Sequence, residues 1–315
     1  MENEHLRTRL AREELADRID RIAPADGETD PLLDLTLFRF PKSSDFVLGV
    51  YEPSICVIAQ GRKEVALEGT RYAYDPFHYL VNTVELPVAS RIAAASPARP
   101  YLALRLKLDP AVVGAVMAEA GPVAPEGGAD LRGIDASPLD PGLLDAVLRL
   151  VRTLDAPADV RVLAPAIRRE IVYRLLTGAQ GARLRHIAVL DGNAHRIARA
   201  IERLRKGFDR PLRVEDIAHE VGMSPSSFHH HFKTVTSLSP IQYQKRLRLH
   251  EARRLMLGAG LDASEAGLRV GYDDKSQFSR EYKRLFGAPP MRDVERLRRG
   301  AAPNLGRVPA IQGLP

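Results

Sequence analysis

The stretch VEDIAHEVGMSPSSFHHHFK, residues 214–233, is followed about fifty residues later by ASEAGLRVGYDDKSQFSREYK, residues 263–283. The second stretch repeats the pattern of the first. The corresponding residues are Val221 and Val270, Gly222 and Gly271, Phe228 and Phe278, Phe232 and Tyr282, and Lys233 and Lys283. Each copy predicts a short helix, a tight turn that contains glycine, a capping residue and a second helix. The sequence therefore predicts two helix-turn-helix units.

The second helix of each copy carries aromatic residues one turn apart, which are expected to face the protein interior. Polar residues between them then face outward, where the second helix of such a unit reaches base edges in the major groove. The sequence therefore predicts a DNA-binding surface made of Ser226, Ser227, His229, His230, Lys233, Lys275, Ser276, Ser279, Arg280 and Lys283.

The segment between the copies predicts a basic helix that holds the two reading helices about 34 Å apart, in successive major grooves. Its expected buried stripe is Ile241, Leu247, Ala252 and Leu255. The whole chain has a net charge of +6, but residues 192–300 contain 22 Lys and Arg against 13 Asp and Glu. A basic excess confined to this part of the chain favours a polyanionic partner.

Residues 35–108 show a different pattern, with short β-type runs broken by turn residues at intervals of about ten. Seven or so strands at this spacing favour a barrel or a sandwich. Helical periodicity follows in segments 110–120, 141–154 and 159–177. The apolar stripe of residues 162–176 predicts a helix that packs either on its own domain or against a second subunit.

These patterns divide the chain into five parts. The expected parts are a charged N-terminal arm (1–30), an effector or dimerisation domain with trailing helices (31–180), a linker (181–192), a DNA-binding domain (193–300) and a flexible tail (301–315).

Residues 193–295 resemble the DNA-binding domain of the AraC/XylS transcription regulators. The resemblance is carried by the duplicated unit and by the run FSREYKRLFGAP, residues 278–289. It implies base contacts for Ser226, His229 and His230, and contacts to bases or backbone for Lys275, Ser276, Ser279 and Arg280. The second copy departs from the family in having Ala266-Gly267 where Ile-Ala is usual. Glycine inside a helix costs about 1 kcal/mol relative to alanine. The second unit is therefore expected to be the less rigid of the two DNA-reading units.

Residues 30–185 resemble the cupin-type N-terminal domain of one subgroup of these regulators. The residues that carry this resemblance are Tyr51-Glu52-Pro53, Gln60-Gly61-Arg62-Lys63, Tyr74-Asp75-Pro76 and Pro100-Tyr101-Leu102. It implies a domain that senses an effector or dimerises. The expected fold class is α+β, with an N-terminal cupin-like β-barrel and flanking helices, then an all-α domain with two helix-turn-helix units. Candidate residues for an effector pocket are Phe38, Tyr51, Tyr79 and Tyr101.

A barrel of this kind could instead belong to an enzyme. Metal-dependent cupin catalysis needs clustered histidines, and the strand region contains only His78, so no catalytic residue, metal site or cofactor is expected. Cys56 is the only cysteine, which leaves a thiol sensor or an inert core side chain as its role. A further alternative is an interaction protein whose duplicated motif no longer binds DNA.

The sequence as a whole predicts a cytoplasmic, bacterial, sequence-specific DNA-binding transcription regulator. The first twenty residues are charged throughout, and no apolar run approaches the roughly 20 residues of a membrane span. Expected partners are double-stranded DNA, a small-molecule effector, a second copy of the chain in a homodimer, and RNA polymerase if the regulator is an activator.

Overall fold

A computed structural model describes residues 2–121, 132–188 and 193–299. The expected tail at 301–315 and the end of the expected linker, 189–192, lie outside the described residues. The strands of the described part are β1 (Gly27–Leu32), β2 (Leu35–Phe40), β3 (Val47–Tyr51), β4 (Ser54–Gln60), β5 (Arg62–Leu67), β6 (Thr70–Tyr74), β7 (His78–Asn82), β8 (Leu86–Ala94), β9 (Tyr101–Lys107) and β10 (Ile134–Pro138).

The helices of the described part flank these strands and then form the C-terminal half of the chain. They are α1 (Glu2–Ile22), α2 (Pro110–Ala120), α3 (Pro141–Arg152), α4 (Pro157–Thr177), α5 (Gly181–Ala188), α6 (Asn193–Lys206), α7 (Val214–Glu220), α8 (Pro225–Thr236), α9 (Pro240–Gly258), α10 (Ala263–Arg269), α11 (Lys275–Phe286) and α12 (Pro290–Arg299). None of these helices combines the length and apolar character that crossing a bilayer requires.

The strands form two antiparallel sheets, one with the order β1-β2-β9-β4-β7-β10 and one with the order β3-β8-β5-β6. Side chains from both sheets share one buried cluster, which includes Phe38 and Tyr101 from the larger sheet and Val65 and Tyr74 from the smaller one. We refer to β1–β10 as the sandwich. The α+β fold class predicted from the sequence is confirmed, with a two-sheet sandwich as the N-terminal β structure.

The six-stranded sheet is buried on both faces. Successive side chains of a strand point to opposite faces, so Cys56 faces the sandwich interior while Val57 joins a second core with helices α1 and α3. Leu15 and Ile19 of α1 are fully buried in this second core. This double burial explains why β4 is apolar from Ile55 to Ala59.

The structure shows how three segments of the N-terminal half fold. The charged arm is the helix α1, which packs on the sheet, and the strand β1 follows it. Most of the expected linker is the helix α5, whose Arg183 is buried and donates a hydrogen bond to Asp135 over 3.2 Å. In α4, Ile167 and Ile171 are buried inside their own domain, so the stripe packs on that domain.

Candidate nucleic-acid interface

The first helix-turn-helix unit consists of α7, a tight turn and α8. Gly222 adopts φ +70°, a left-handed conformation that glycine accepts at no steric cost, and it ends α7. The backbone N–H of Met223 donates to the carbonyl of Ala218 over 2.8 Å, which closes the turn. Ser224 then caps α8, and Pro225 occupies its first turn. We call α7–α8 the first unit.

The second unit, α10–α11, repeats this arrangement. Gly271 adopts φ +86°, and the N–H of Tyr272 donates to the carbonyl of Gly267 over 3.0 Å. Asp274 replaces the serine as the cap of the second helix and accepts from the N–H of Ser276 over 2.7 Å. The duplicated sequence therefore folds into duplicated local structure, as predicted.

The aromatic residues predicted to face inward do so in both units. Phe228 and Phe232 are fully buried with ring centroids 5.4 Å apart, and Phe278 and Tyr282 are buried with centroids 5.6 Å apart. Because these rings fix the rotation of α8 and α11, the polar residues between them must face away from the core.

The residues predicted to bind DNA lie on that outer face. Ser227 is half-buried, and the others are exposed: Ser226, His229, His230, Lys233, Lys275, Ser276, Ser279, Arg280 and Lys283. Within the described residues, none of the four cations in this set forms an ion pair with a carboxylate. The outer faces of α8 and α11 therefore present unneutralised polar surface to solvent.

The basic helix α9 packs against both α8 and α10, and it uses its arginines differently. Arg253 pairs with Asp293 over 2.8 Å, and Arg254 pairs with Glu251 over 2.5 Å. Arg248 donates to the carbonyl oxygens of Phe208 over 2.6 Å and Gly271 over 2.8 Å. Part of the positive charge of residues 192–300 is thus structural.

Arg248 is a site-building residue that sequence reasoning missed. Its guanidinium holds the turn of the second unit and the segment before the first unit against α9, by bonds to Gly271, Asp209 and Arg210. The sequence offered one signal for this role: Arg248 directly follows Leu247, a residue of the predicted buried stripe of α9.

The first unit and α9 also contact the sandwich. The N–H of Gly133 donates to the carbonyl of Val235 over 2.9 Å, and the hydroxyl of Tyr243 donates to the carbonyl of Glu85 over 3.0 Å. Arg205 pairs with the carboxylate of Glu85, whose pKa is raised because burial outweighs the effect of that arginine. The sandwich thus binds the C-terminal helices without covering the residues predicted to read DNA.

Three of the four candidate pocket residues, Phe38, Tyr51 and Tyr101, line one cavity inside the sandwich. Tyr79 does not, because it lies on the opposite face of the six-stranded sheet and packs in the core under the helices. Cys56 also lines the cavity, and burial raises the pKa of its thiol against the opposing effect of the nearby positive charges. A neutral buried thiol is a poor nucleophile, which favours a packing role for Cys56.

Known proteins resemble both halves of the chain. Residues 31–183 match a family model described as the N-terminus of AraC-type transcriptional regulators, and residues 217–296 match one described as a helix-turn-helix domain. The transcriptional regulator ArgR of Pseudomonas aeruginosa is 28% identical over 158 residues, which is 50% of this chain and 48% of that protein. The transcriptional activator RhaS of Salmonella agona is 30% identical over 156 residues, or 48% of this chain and 54% of that protein.

The chain spans about half the length of these curated relatives. A solved structure, ToxT from Vibrio cholerae O395, has a TM-score of 0.52 at 8% identity, over 83% of this chain and 96% of that one. This likeness shows a shared fold. Neither family model describes an enzyme. The chain belongs to the AraC family of transcriptional regulators.

Proposed function

We propose that this chain is a sequence-specific DNA-binding regulator of transcription that reads successive major grooves with α8 and α11. The observation that carries the proposal is the matched exposure of two polar helix faces, each fixed by a buried aromatic pair. A helix presented in this way fits the major groove, and two joined by a rigid helix suit adjacent half-sites.

Contacts to bases and contacts to phosphates are proposed for different types of residue. Short polar side chains and Arg280 reach base edges, which specify sequence, while Lys233, Lys275 and Lys283 neutralise phosphates, which set affinity. The N-terminus of α8, which is capped by the neutral Ser224, adds backbone N–H groups that suit phosphate oxygens.

The test is selection of binding sites from fragmented genomic DNA with the purified chain, followed by titration of the recovered sites. We expect a recurring pair of half-sites about 34 Å apart, which is one helical turn between centres. The matched variants are Ser226→Ala and Ser279→Ala, one on each reading helix, with Lys42→Ala in the sandwich as the control.

Each helix variant should relax the preference within a different half-site, while the control keeps the wild-type preference. Recovery of DNA without any common sequence would contradict specific readout. Loss of preference at the same half-site in both variants would contradict the assignment of one helix to each half-site.

The sandwich is proposed to sense a small molecule through the cavity lined by Phe38, Tyr51 and Tyr101. A homodimer is proposed because α4 leaves Val162, Leu163 and Tyr173 exposed while Ile167 and Ile171 pack on its own domain. Activation through RNA polymerase is proposed by analogy with RhaS, which is named as an activator. Sedimentation of the free chain as a monomer at micromolar concentration would contradict the dimer.

A further inference from the structure

The duplication extends beyond the two helix-turn-helix units, into the helix that follows each one. Both reading helices end in a left-handed residue, which is Ser237 with φ +61° after α8 and Gly287 with φ +79° after α11. A helix that begins with proline follows each, at Pro240 for α9 and at Pro290 for α12. The spacing between these landmarks is the same in both copies, so α9 and α12 can be compared position by position.

The pair of residues that packs behind each reading helix differs between the copies. In the first copy, the fully buried rings of Phe232 and Tyr243 contact each other edge to face, with centroids 5.5 Å apart. The equivalent residues of the second copy, again eleven residues apart, are Tyr282 and Asp293. The hydroxyl of Tyr282 donates to Oδ2 of Asp293 over 2.9 Å. A contact between two rings in the first copy is therefore replaced by a hydrogen bond to a carboxylate in the second.

Asp293 has no exposed surface and lies where α9, α11 and α12 meet. Arg253 of α9 places its Nε 2.8 Å from Oδ2 of this carboxylate and its Nη2 3.1 Å from Oδ1. Arg296 of α12 donates to Oδ1 over 2.7 Å. Arg253 is itself buried, and its guanidinium lies 4.4 Å from the ring centroid of Phe286 in α11. Groups from three helices thus surround both oxygens of Asp293.

This arrangement restricts the reading helix of the second unit. A buried carboxylate needs both an opposite charge and hydrogen-bond donors, because its desolvation is otherwise not repaid. Burial and the neighbouring carboxylate raise the pKa of Tyr282, so its hydroxyl keeps its proton and remains a donor. Hydrogen bonds to a charged acceptor require a defined distance and direction. The contacts of Asp293 therefore restrict both the rotation of α11 and its distance from α9.

We infer that Asp293 is a positioning residue for DNA readout, which acts through Tyr282 and Arg253 to hold α11 in the orientation that presents Ser279 and Arg280 to the major groove. Ser279 and Arg280 are exposed on the helix that carries Tyr282, so a rotation of α11 about its axis moves them directly. This inference rests on the proposed function and names the residue that orients its second reading helix.

The binding test uses the full chain and three duplexes, which are the selected site and the same site with either half-site scrambled. The second half-site is the one in which Ser279→Ala relaxes the preference. Asp293→Asn keeps the shape of the side chain and removes its charge. We expect this variant to bind the intact site at least about tenfold more weakly, because base contacts of α11 are lost. It should bind the duplex with a scrambled second half-site as the wild type does.

The matched control is Glu295→Gln, which makes the same chemical change at an exposed position of the same helix. It should bind all three duplexes as the wild type does. Equal weakening of Asp293→Asn on all three duplexes, or the same loss in Glu295→Gln, would overturn the positioning role.

A double-mutant cycle tests whether Asp293 acts through Arg253. Arg253→Met should weaken binding to the second half-site in the same way as Asp293→Asn, because each substitution leaves a buried charge without its partner. The double variant removes both charges together, so its loss should be smaller than the sum of the two single losses. Additive losses would show that the two residues act independently and would contradict the inference.

Hydrogen exchange in the absence of DNA provides an independent readout. Asp293→Asn and Tyr282→Phe should both lower the protection of α11 and α12 and leave that of α8 unchanged. Tyr282→Phe removes a single hydroxyl, so it carries this test should Asp293→Asn fail to fold. Unchanged protection of α11, or an equal loss in α8, would overturn the inference. Because these measurements contain no DNA, their failure is separate from failure of the site-selection experiment.

Discussion

The first and second units share a backbone plan but differ in what surrounds them. The first unit lies next to the sandwich, through Val235 at the end of α8 and Tyr243 at the start of α9. Within the described residues, α6, α8 and α9 form the hydrogen bonds and ion pairs that join the C-terminal helices to the sandwich. The second unit instead packs against α9 and α12.

Their reading faces differ as well. The first carries two serines, two histidines and Lys233, whereas the second carries two serines and three cations, Lys275, Arg280 and Lys283. A charged face gains more from phosphates, and a neutral face depends more on hydrogen bonds to base edges. The comparison suggests a division in which the unit fixed to the sandwich receives the effector signal and the more basic unit supplies affinity.

The largest predicted effect separates the two turn glycines. A Cβ at Gly271 would lie 2.0 Å from the carbonyl oxygen of Asp209, while one at Gly222 would meet nothing within 4 Å. Both residues are left-handed, which costs a non-glycine residue about 1–2 kcal/mol. Gly271→Ala adds overpacking, so we expect a loss of about 2–5 kcal/mol against about 1–2 kcal/mol for Gly222→Ala. Urea unfolding of both variants measures this, and equal losses would contradict the steric argument.

The next effect concerns the charged face of the second unit. Arg280 has planar donors suited to two acceptors of one base, so Arg280→Ala should cost about 1–3 kcal/mol at a single base pair. Lys283→Ala, one turn further along α11, should weaken binding to all sequences alike and lower the salt dependence. Titration against a set of single-base variants of the selected site distinguishes the two. A uniform loss for Arg280→Ala would show that it contacts only the backbone.

Helices and turns of both units were predictable because their signals are local. A capping residue, a left-handed glycine and aromatic residues one turn apart act within about ten residues of one another. The side of α9 that is buried was harder to predict. Ile241 was expected to be buried and is 48% exposed, while Tyr243 is fully buried. Helices α6, α8, α10 and α12, together with β8, pack on α9, and no local pattern records which side they cover.

The candidate effector pocket shows the same limit in a sheet. Phe38 and Tyr79 are both buried aromatic residues of strands, yet they lie on opposite faces because helices cover the outer face of the larger sheet. Lysine is usually a surface residue. Lys63, however, lies on the same face of β5 as Val65 and Leu67, which are buried in the sandwich core, and this alternation was the signal that it points inward. The lower rigidity expected of the second unit stays a prediction. A Cβ at Gly267 would lie only 3.1 Å from the ring of Phe278, so the glycine leaves room for that ring.

An effect of intermediate size is expected in the pH dependence of stability, from a histidine of α9 that packs against the second unit. His250 of α9 packs on Phe286 with ring centroids 5.7 Å apart, and its pKa is lowered to about 3 by burial and by Arg253 and Arg246. The unfolded chain binds a proton near pH 6.5, so the folded state loses stability as the pH falls below that value. The slope is at most about 1.4 kcal/mol per pH unit from this residue. His250→Leu should flatten the curve of unfolding free energy against pH, and parallel curves would contradict this origin.

The smallest expected effect tests the link between the first unit and the sandwich. Tyr243 is fully buried and donates to the carbonyl of Glu85, so Tyr243→Phe removes one hydrogen bond worth about 0.5–1.5 kcal/mol with little change in packing. Its counterpart is Tyr282→Phe, which removes the 2.9 Å bond to Asp293 on α12. Hydrogen exchange should report weaker protection in both β8 and α9 for Tyr243→Phe, but only among the C-terminal helices for Tyr282→Phe. If both variants loosened β8 equally, the second unit would be coupled to the sandwich as strongly as the first, and the proposed division between the units would fail.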